Sequence, residues 1–318
     1  MGAILTLLTD QEALEFLAAH ADEDEAGRSA YWREELENFS VGADGGVAGR
    51  AALGNASAKE TTFNKLAHAF LQWPLHRLAP FQDRADSIRL GRLIAARQRR
   101  QITFDMLRQC FTLALIRKHL DLGSTDEANL VIGDGYGVMA SLLLLHAPHR
   151  RTICVNLTKP LILDLAYIRQ GVPGIRLALV TTGDEMKAAL ADKGIRLIGV
   201  RADDFQAIQE AAIGLAVNIV SMQEMEPSVV EQYFNLLRGN KARQTAFYCC
   251  NKLYKKLSDG TELRFDDFPW RDNDSILHNT ICPWSQWYYD KIPPCWHYRR
   301  GEKRVIWHRL ALLEMDPT

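Results

Sequence analysis

The spacing of apolar residues along the chain changes near residue 128. Before that point, apolar residues recur every three or four positions, which is typical of amphipathic helices. The two clearest stretches are Phe63, Leu66, Ala67, Phe70 and Leu71, which ends at Pro74, and Phe104, Leu107, Phe111, Ala114 and Leu115, which ends before Gly123. We therefore predict a helical N-terminal region over residues 1–125.

Weaker signals complete this N-terminal region. Thr9 and Glu12 have the spacing of a capping box, so we expect a helix to begin there. The segment 32–39 has a second amphipathic pattern. Residues 40–59 are rich in glycine, alanine and small polar residues without periodicity, which predicts a flexible loop. The region as a whole is a candidate cap over a substrate site or a surface for homo-oligomer formation.

From residue 126 to residue 318, apolar runs alternate with helical patterns. This rhythm predicts a Rossmann-like α/β domain with a mostly parallel sheet. The predicted strands are 129–133, 152–156, 175–179, 195–201, 213–220, 245–250 and 307–314, and the predicted helices are 138–146, 158–171 and 227–239. We expect the last strand to be antiparallel and to lie at the edge of the sheet.

Composition narrows the class of protein. Hydrophobic residues make up 47% of the 318 residues and charged residues 24%, which is ordinary for a globular protein with a filled core. A net charge of −1 argues against a general nucleic-acid binder, which would carry a basic excess. No apolar run reaches the roughly 18 residues of a membrane span. The first residues are apolar but lack a basic start, so we expect no signal peptide.

Six cysteines are present, mostly within apolar runs, and none forms a C-x-x-C pair. This pattern favours reduced, buried thiols over a disulfide framework or a zinc site. We therefore expect a cytoplasmic protein.

Three glycines lie at alternate positions from the end of the first predicted strand, 129–133, onward. They are Gly133, Gly135 and Gly137. A turn without side chains between a strand and a helix lets the backbone approach a nucleotide or adenosyl group closely. The dinucleotide pattern G-x-G-x-x-G would need a third glycine where this chain has Val138. The spacing G-x-G-x-G favours S-adenosylmethionine instead, and the alternative is only a tight strand–helix connection.

Ligands of open α/β sheets bind beyond the carboxyl ends of the strands. Asp134 and Tyr136 follow the first predicted strand, and Asn156 follows the second. The segments 221–225 and 251–254 follow two later strands.

Four segments of the chain resemble the sugar O-methyltransferases, a family of class I methyltransferases. They are 132–137 (IGDGYG), 155–160 (VNLTKP), 218–225 (NIVSMQEM) and 247–251 (FYCCN). The resemblance implies S-adenosylmethionine as cofactor, S-adenosylhomocysteine as product, and methylation of a sugar hydroxyl on a glycan, glycoconjugate or activated sugar, as in polysaccharide biosynthesis. The predicted cofactor-binding residues are Gly133, Asp134, Gly135, Tyr136, Gly137, Asn156, Ser221 and Gln223.

Two positions depart from the family pattern. Asn156 stands where a carboxylate usually accepts both ribose hydroxyls, although an amide still offers one acceptor and two donors. Val131 stands where an acidic residue usually precedes the first glycine by two positions. Asp134 either compensates, as an anion near the methionine ammonium or the sulfonium, or serves only as a turn residue.

The chemistry needs a group that takes the proton of a weakly acidic sugar hydroxyl. Glu224, after the predicted strand 213–220, is the first candidate. Its alternative role is to hold the cofactor or to cap the next helix. His278 is the second candidate, since imidazole titrates near neutral pH, and its alternative is an ordinary surface histidine. A metal is an open question: the loop-like acidic residues Asp266, Asp267, Asp272 and Asp274 have no diagnostic ligand spacing.

Two compositional clusters have open interpretations. Five arginines, Arg89, Arg92, Arg97, Arg99 and Arg100, form either a solvated helix face or a landing site for an anionic acceptor such as a phosphorylated or carboxylated sugar. Residues 268–307 contain nine Phe, Trp and Tyr side chains that either fill a small core or, in part, stack on sugar rings. Two other functions also stay open, namely a non-catalytic binding module on the same fold and a nicotinamide-dependent sugar oxidoreductase.

Overall fold

The structure is a computed structural model that describes residues 7–23, 29, 39–41, 47–49 and 62–317. The strands are β1 Leu8–Thr9, β2 Phe39–Val41, β3 Val47–Gly49, β4 Ala128–Ile132, β5 Thr152–Asn156, β6 Arg176–Val180, β7 Ile195–Arg201, β8 Ile213–Ile219, β9 Ala246–Lys252, β10 Tyr254–Lys256, β11 Glu262–Arg264, β12 Ser275–Ile281, β13 Trp287–Lys291, β14 Pro294–Tyr298 and β15 Ile306–Leu312. The α-helices are α1 Asp10–Ala19, α2 Thr62–Gln72, α3 Arg84–Arg97, α4 Phe104–His119, α5 Val138–His146, α6 Thr158–Gly171, α7 Gly183–Ala191, α8 Pro227–Gly239 and α9 Pro283–Gln286.

Nine of the described strands form one sheet in the order β1-β6-β7-β5-β4-β8-β9-β15-β12. The strands from β6 through β9 in this order are parallel, whereas β1 and β15 are antiparallel to their neighbours. After β4 the chain first builds the β5 side of the sheet and then crosses to the β8 side. The carboxyl end of β4 is therefore a topological switch point, where ligands of open α/β sheets bind.

The predicted fold class is confirmed as a mostly parallel Rossmann-like sheet. Its parallel strands are mainly apolar and buried because both faces of the sheet are covered. Leu130 and Ile132 contribute to one core, and Val131 between them contributes to the other. Helices α3 and α4 of the N-terminal region pack on α5 and α6, within the core on the Val131 face. The division of the chain at residue 125 stays a prediction.

One prediction about the sheet is wrong. The final strand β15 does not lie at the edge, because β12 pairs with its outer side over Ser275–Ile281. The β12 strand is mostly exposed and carries few apolar residues, so its composition lacks the apolar run that marks a buried strand. Helix α7 also escaped the sequence analysis, although Thr182 and Glu185 form a complete capping box at its start.

The capping box predicted at Thr9 and Glu12 is also wrong, although α1 does begin at Asp10. The Thr9 side chain makes no cap hydrogen bond. Asp10, at φ 48°, instead accepts a hydrogen bond from the backbone N–H of Leu177 at 3.1 Å, so it ties this helix to the sheet. Within the predicted loop 40–59, residues 39–41 and 47–49 form an antiparallel hairpin. The remainder of that loop and residues 32–38 lie outside the described part of the chain.

None of the described helices combines the length and the apolarity that crossing a membrane requires.

Candidate functional site

The glycine turn between β4 and α5 depends on all three of its glycines. Gly133, Gly135 and Gly137 have φ values of 69°, 89° and 61°, which L-residues rarely adopt. A Cβ on Gly133 would lie 2.5 Å from the Ser221 hydroxyl oxygen, and one on Gly137 would collide with Ile168. Protein packing therefore explains two of the glycines. Gly133 and Gly135 also line two cavities, whereas Gly137 lines neither.

The first of these, which we name the Asn156 cavity, has a volume of about 260 Å³. It lies beyond the carboxyl ends of β4, β5, β7 and β8, and one wall is the start of α8. Its lining includes Gly133, Gly135, Asn156, Leu157, Asp203, Phe205, Ser221, Glu224, Met225 and Tyr233. Asp203 and Phe205 escaped the sequence analysis. The feature of the sequence that could have indicated them is the acidic pair Asp203 and Asp204, shortly after the predicted strand 195–201.

The second, the Arg108 cavity, has a volume of about 270 Å³ and lies between the same edge of the sheet and helices α4 and α9. Its lining combines polar side chains with apolar surface that includes one indole. The lining residues include Asp105, Arg108, Gln109, Thr112, Asp134, Cys250, Trp284, Ser285 and Arg299. Gly133, Gly135, Ser221 and Glu224 line both cavities. The two cavities therefore share a wall, and that wall carries one carboxylate.

A buried hydrogen-bond network positions Glu224. Ser221 donates from its hydroxyl to the carbonyl of Ile132 at 2.9 Å. The Asn251 side chain accepts from the backbone N–H of Gln223 at 3.1 Å, and the Gln223 side chain accepts from the backbone N–H of Lys252 at 2.8 Å. These bonds hold the short 3-10 turn Met222–Glu224 against β9. Gln223, predicted to bind the cofactor, lines neither cavity and acts on this turn instead.

The residue before this turn is strained. Val220 has φ 62°, which is a true outlier for a β-branched side chain. Such a conformation costs on the order of 1–3 kcal/mol and concentrates at functional sites. Val220 also lines the Arg108 cavity, and its backbone N–H donates to the carbonyl of Cys250 at 2.7 Å. The strain thus falls directly beside the shared wall.

Asp134 caps the start of α5. Its carboxylate accepts hydrogen bonds from the backbone N–H groups of Met139 at 3.0 Å and Ala140 at 2.7 Å. Burial nevertheless raises the pKa of Asp134 to about 6. Asp134 also lines the Arg108 cavity, and its role as an anion near the methionine ammonium or the sulfonium stays a prediction.

A second buried carboxylate, Asp164 on α6, lies behind the glycine turn. Asn156 donates to one of its oxygens at 2.9 Å, and the other oxygen has no hydrogen-bond partner. Burial and the charge of Asp134 raise the pKa of Asp164 well above its usual value. Sequence analysis missed Asp164, although an aspartate among the buried residues 161–165 was a signal. Asn156, which lines its cavity, is oriented by this carboxylate and by the N–H of Leu157.

Tyr136, predicted to bind the cofactor, lines neither cavity. Its ring packs against Tyr167 with centroids 5.3 Å apart, and the guanidinium of Arg100 lies 4.6 Å from its centroid. Burial raises the pKa of Tyr136 to about 12. The tyrosine therefore joins the glycine turn to the N-terminal helices.

The arginine cluster does not reach the Arg108 cavity. Arg89 pairs with Asp86 at 2.7 Å, and Arg97 donates to the carbonyl of Gly171 at 3.0 Å. Arg92 and Arg100 line a third cavity, of about 490 Å³, beside α2 and α3.

Most of the aromatic segment 268–307 serves the core, as Phe268 and Trp284 are buried, whereas Trp296 and Tyr298 are exposed. Trp284 is the aromatic residue of this segment that lines the Arg108 cavity.

His278 lies on β12 and lines neither of the two cavities. Its Nε2 is 2.9 Å from Nε2 of His308, and burial, followed by His308 and His119, lowers its pKa to about 4.

The acidic segment 266–274 does not form a metal-type cluster in the described structure. Asp274 binds Arg238 at 2.7 Å and Asp266 lies near Arg309. Among the described residues, Asp290, Cys295 and His297 form a metal-type group on the β13–β14 hairpin, and none of them lines either cavity. The other five cysteines are buried, and all six are free thiols.

No protein-family model matches the chain, and no curated protein sequence matches it. Several solved structures resemble its fold. The pyocyanin biosynthetic protein PhzM is 13% identical over 87% of this chain and 81% of its own, with a TM-score of 0.38. Magnesium protoporphyrin IX methyltransferase (ChlM) from Synechocystis PCC 6803, solved with bound SAM, is 10% identical over 82% of this chain and 100% of its own, with a TM-score of 0.38. The methyltransferase CalO6 is 11% identical over 65% and 64%, with a TM-score of 0.37. Likenesses of this size carry no argument about activity, which depends on the residues of this chain.

Proposed function

We propose that the protein is an S-adenosylmethionine-dependent O-methyltransferase that methylates a sugar hydroxyl. The observation that carries this proposal is the shared wall between two cavities at the switch point of the sheet. Gly133, Gly135, Ser221 and Glu224 belong to both cavities, so two ligands can meet there with only the side chains of Ser221 and Glu224 on the shared wall.

The Asn156 cavity suits the methyl donor. Gly135 leaves space for close backbone approach, and the Asn156 amide lies beyond β5, where a ribose would lie. Phe205 and Leu157 offer an apolar surface for a purine ring. The carboxylate of Asp134, on the same glycine turn, favours a cationic ligand beside the shared wall. The residues present therefore fit this cofactor.

The Arg108 cavity suits a sugar. Gln109, Thr112 and Ser285 offer hydrogen-bonding groups for hydroxyls, and the indole of Trp284 offers a face for the apolar side of a ring.

Glu224 is the general base in this proposal. When bound, the donor supplies a methyl group activated by a sulfonium. The protein then has to align the acceptor oxygen behind that methyl and exclude water. Glu224 takes the hydroxyl proton as the oxygen–carbon bond forms and the carbon–sulfur bond breaks. Its place on the shared wall and the rigid turn beneath it support this role over His278, which contacts His308 instead.

Titration calorimetry with S-adenosylmethionine and S-adenosylhomocysteine tests the donor site, and release of S-adenosylhomocysteine across a panel of sugars and glycans tests the reaction. We expect one binding site and turnover with at least one acceptor. Absence of binding to both donor compounds would contradict the proposal. Binding without turnover on any acceptor would favour the non-catalytic module, and an absorbance change of NADH in the presence of a sugar would favour the oxidoreductase.

A further inference from the structure

We propose that the ligand of the Arg108 cavity carries an anionic group, a carboxylate or a phosphate, that binds Arg299. As a statement about the acceptor, this inference rests on the proposed function. As a statement about anion binding, it depends only on the cavity.

Arg299 lines the Arg108 cavity from the residue directly after β14. Its backbone N–H donates to the carbonyl of Gln286 at 2.9 Å, which fixes the position of the chain there. The guanidinium lies 5.0 Å from the ring centroid of Tyr288. Its Nε is buried and has no hydrogen-bond partner, and within the described residues no carboxylate forms an ion pair with it. A buried donor without a partner costs about 1–3 kcal/mol, and more when it is charged.

In Arg108, the other arginine of the cavity, each of the three guanidinium nitrogens donates a hydrogen bond to a protein oxygen. It binds the carboxylate of Asp105 at 2.5 Å and donates to the carbonyls of Trp284 at 3.0 Å and Trp287 at 2.5 Å. The positive charge of Arg108 is thus offset by Asp105, which lines the same cavity. Arg108 and Arg299 therefore differ in whether their donors are occupied.

The remaining charges around the cavity also offset one another. Lys252 lies near the shared wall, where the charge of Glu224 favours its protonated form and that of Arg299 disfavours it. Asp134 is held by the N-terminal N–H groups of α5. Burial lowers the pKa of Arg299, as do the charges of Arg108 and Arg304, whereas the charge of Asp105 opposes them. Because the Asp105 carboxylate is hydrogen-bonded to Arg108, Arg299 is the arginine of the cavity wall that forms no ion pair of its own among the described residues.

An oxyanion supplies what Arg299 lacks. The planar guanidinium fork matches two oxygens of a carboxylate or phosphate, and hydrogen bonds to charged groups are the stronger ones. A neutral sugar would leave the charge without a partner. The acceptor class is therefore a uronate or a sugar phosphate, with its anionic group at Arg299.

The test titrates the full chain, loaded with S-adenosylhomocysteine and also without it, with D-glucuronate, D-glucose 6-phosphate and D-glucose. We expect at least one anion to bind about tenfold or more tightly than glucose, as a charge-assisted hydrogen bond provides. A preference for glucuronate identifies a carboxylate and a preference for glucose 6-phosphate identifies a phosphate. Equal binding of all three sugars, or binding of neither anion, would overturn the inference.

Variants locate the effect. Arg299→Gln should remove the preference for the anion, whereas Arg300→Gln, at the exposed neighbouring position, should keep it. Arg299→Lys keeps the charge without the fork and should retain part of the preference, so it replaces Arg299→Gln if that variant does not fold. An unchanged preference in the Arg299 variants would contradict the proposal. Failure of S-adenosylhomocysteine to bind, with anion preference through Arg299 intact, would reject the methyltransferase function and leave the anion site standing.

Discussion

The Nε2 atoms of His278 and His308 lie 2.9 Å apart, so a single proton must lie between the two imidazoles. His308 is fully buried, and its Nδ1 lies 3.0 Å from the hydroxyl of Tyr248. That hydroxyl in turn lies 3.3 Å from Thr112, which lines the Arg108 cavity. His278 therefore belongs to a buried chain of polar groups that requires it to be neutral.

This arrangement predicts a loss of stability in mild acid. The folded-state pKa of His278, about 4, lies below its ordinary value of 6.5. The unfolded chain therefore binds the proton first, and stability falls as the pH drops from about 6.5 towards 4. His278→Gln should show a smaller loss between pH 7 and pH 5 than the unaltered protein when urea midpoints are compared. Identical pH dependence in both proteins would contradict this account.

The carboxylates of Asp134 and Asp164 predict the opposite slope. Both folded-state pKa values are raised, so their contribution to stability is complete in acid and is lost as the pH rises, through about 6 for Asp134 and through the raised pKa of Asp164. Asp164→Asn should lose less stability than the unaltered protein between pH 5 and pH 7, measured by the same urea midpoints. Asp184→Asn, at a position whose side chain is 81% exposed, is the control and should follow the unaltered protein.

Gly135→Val should abolish or greatly weaken the binding of S-adenosylhomocysteine. Gly135 and Gly174 both have positive φ values, 89° and 78°, but only Gly135 lines the two cavities. A Cβ on Gly174 would meet open space. Overpacking costs about 1–3 kcal/mol, or roughly 5- to 150-fold in affinity. Gly174→Val should carry the same backbone strain and retain affinity in titration calorimetry. Equal losses in both variants would show that strain, not occupied space, is responsible.

Glu224→Gln should depress turnover far more than donor affinity. A general base contributes roughly 100- to 10,000-fold to rate, and glutamine keeps the shape of the side chain without its basicity. The matched control is Glu226→Gln, two residues along, because Glu226 begins α8 without a side-chain cap bond. Steady-state rates and calorimetric affinities measured on the same preparations separate the two effects. A Glu224→Gln variant that turns over normally would exclude the base role.

The parallel core of the fold could be predicted because burial on both faces forces an unbroken apolar run. The strand Thr152–Asn156 has the predicted bounds for this reason. The helix Pro227–Gly239 has them because a proline suits its first turn and a glycine its end. The exposed strand β12 could not be found this way, since an edge strand facing solvent has no need of apolar residues. Its absence from the prediction also placed β15 wrongly at the edge.

The residues of the candidate site also fall into those that could be placed from the sequence and those that could not. Residues that follow a strand, such as Glu224 and Asn156, could be placed from sequence because parallel strands end at one edge of the sheet. Arg299 and Asp164 could not be placed, because their importance lies in what surrounds them. An arginine is only informative once its lack of a partner is known, and an aspartate in an apolar helix only once the turn behind it is located.

The packing of Arg100 against both Tyr136 and Tyr167 bears on how much of the chain a folded fragment must keep. The guanidinium lies 4.6 Å and 4.9 Å from the two ring centroids, and it belongs to the segment that links α3 to α4. A shortened chain starting at residue 126 would keep every strand from β4 onward yet leave one side of the Tyr136 ring bare to water. We therefore expect a fragment that starts at residue 126 to fold poorly. A minimal folded fragment should have to retain helices α3 and α4, which precede that residue.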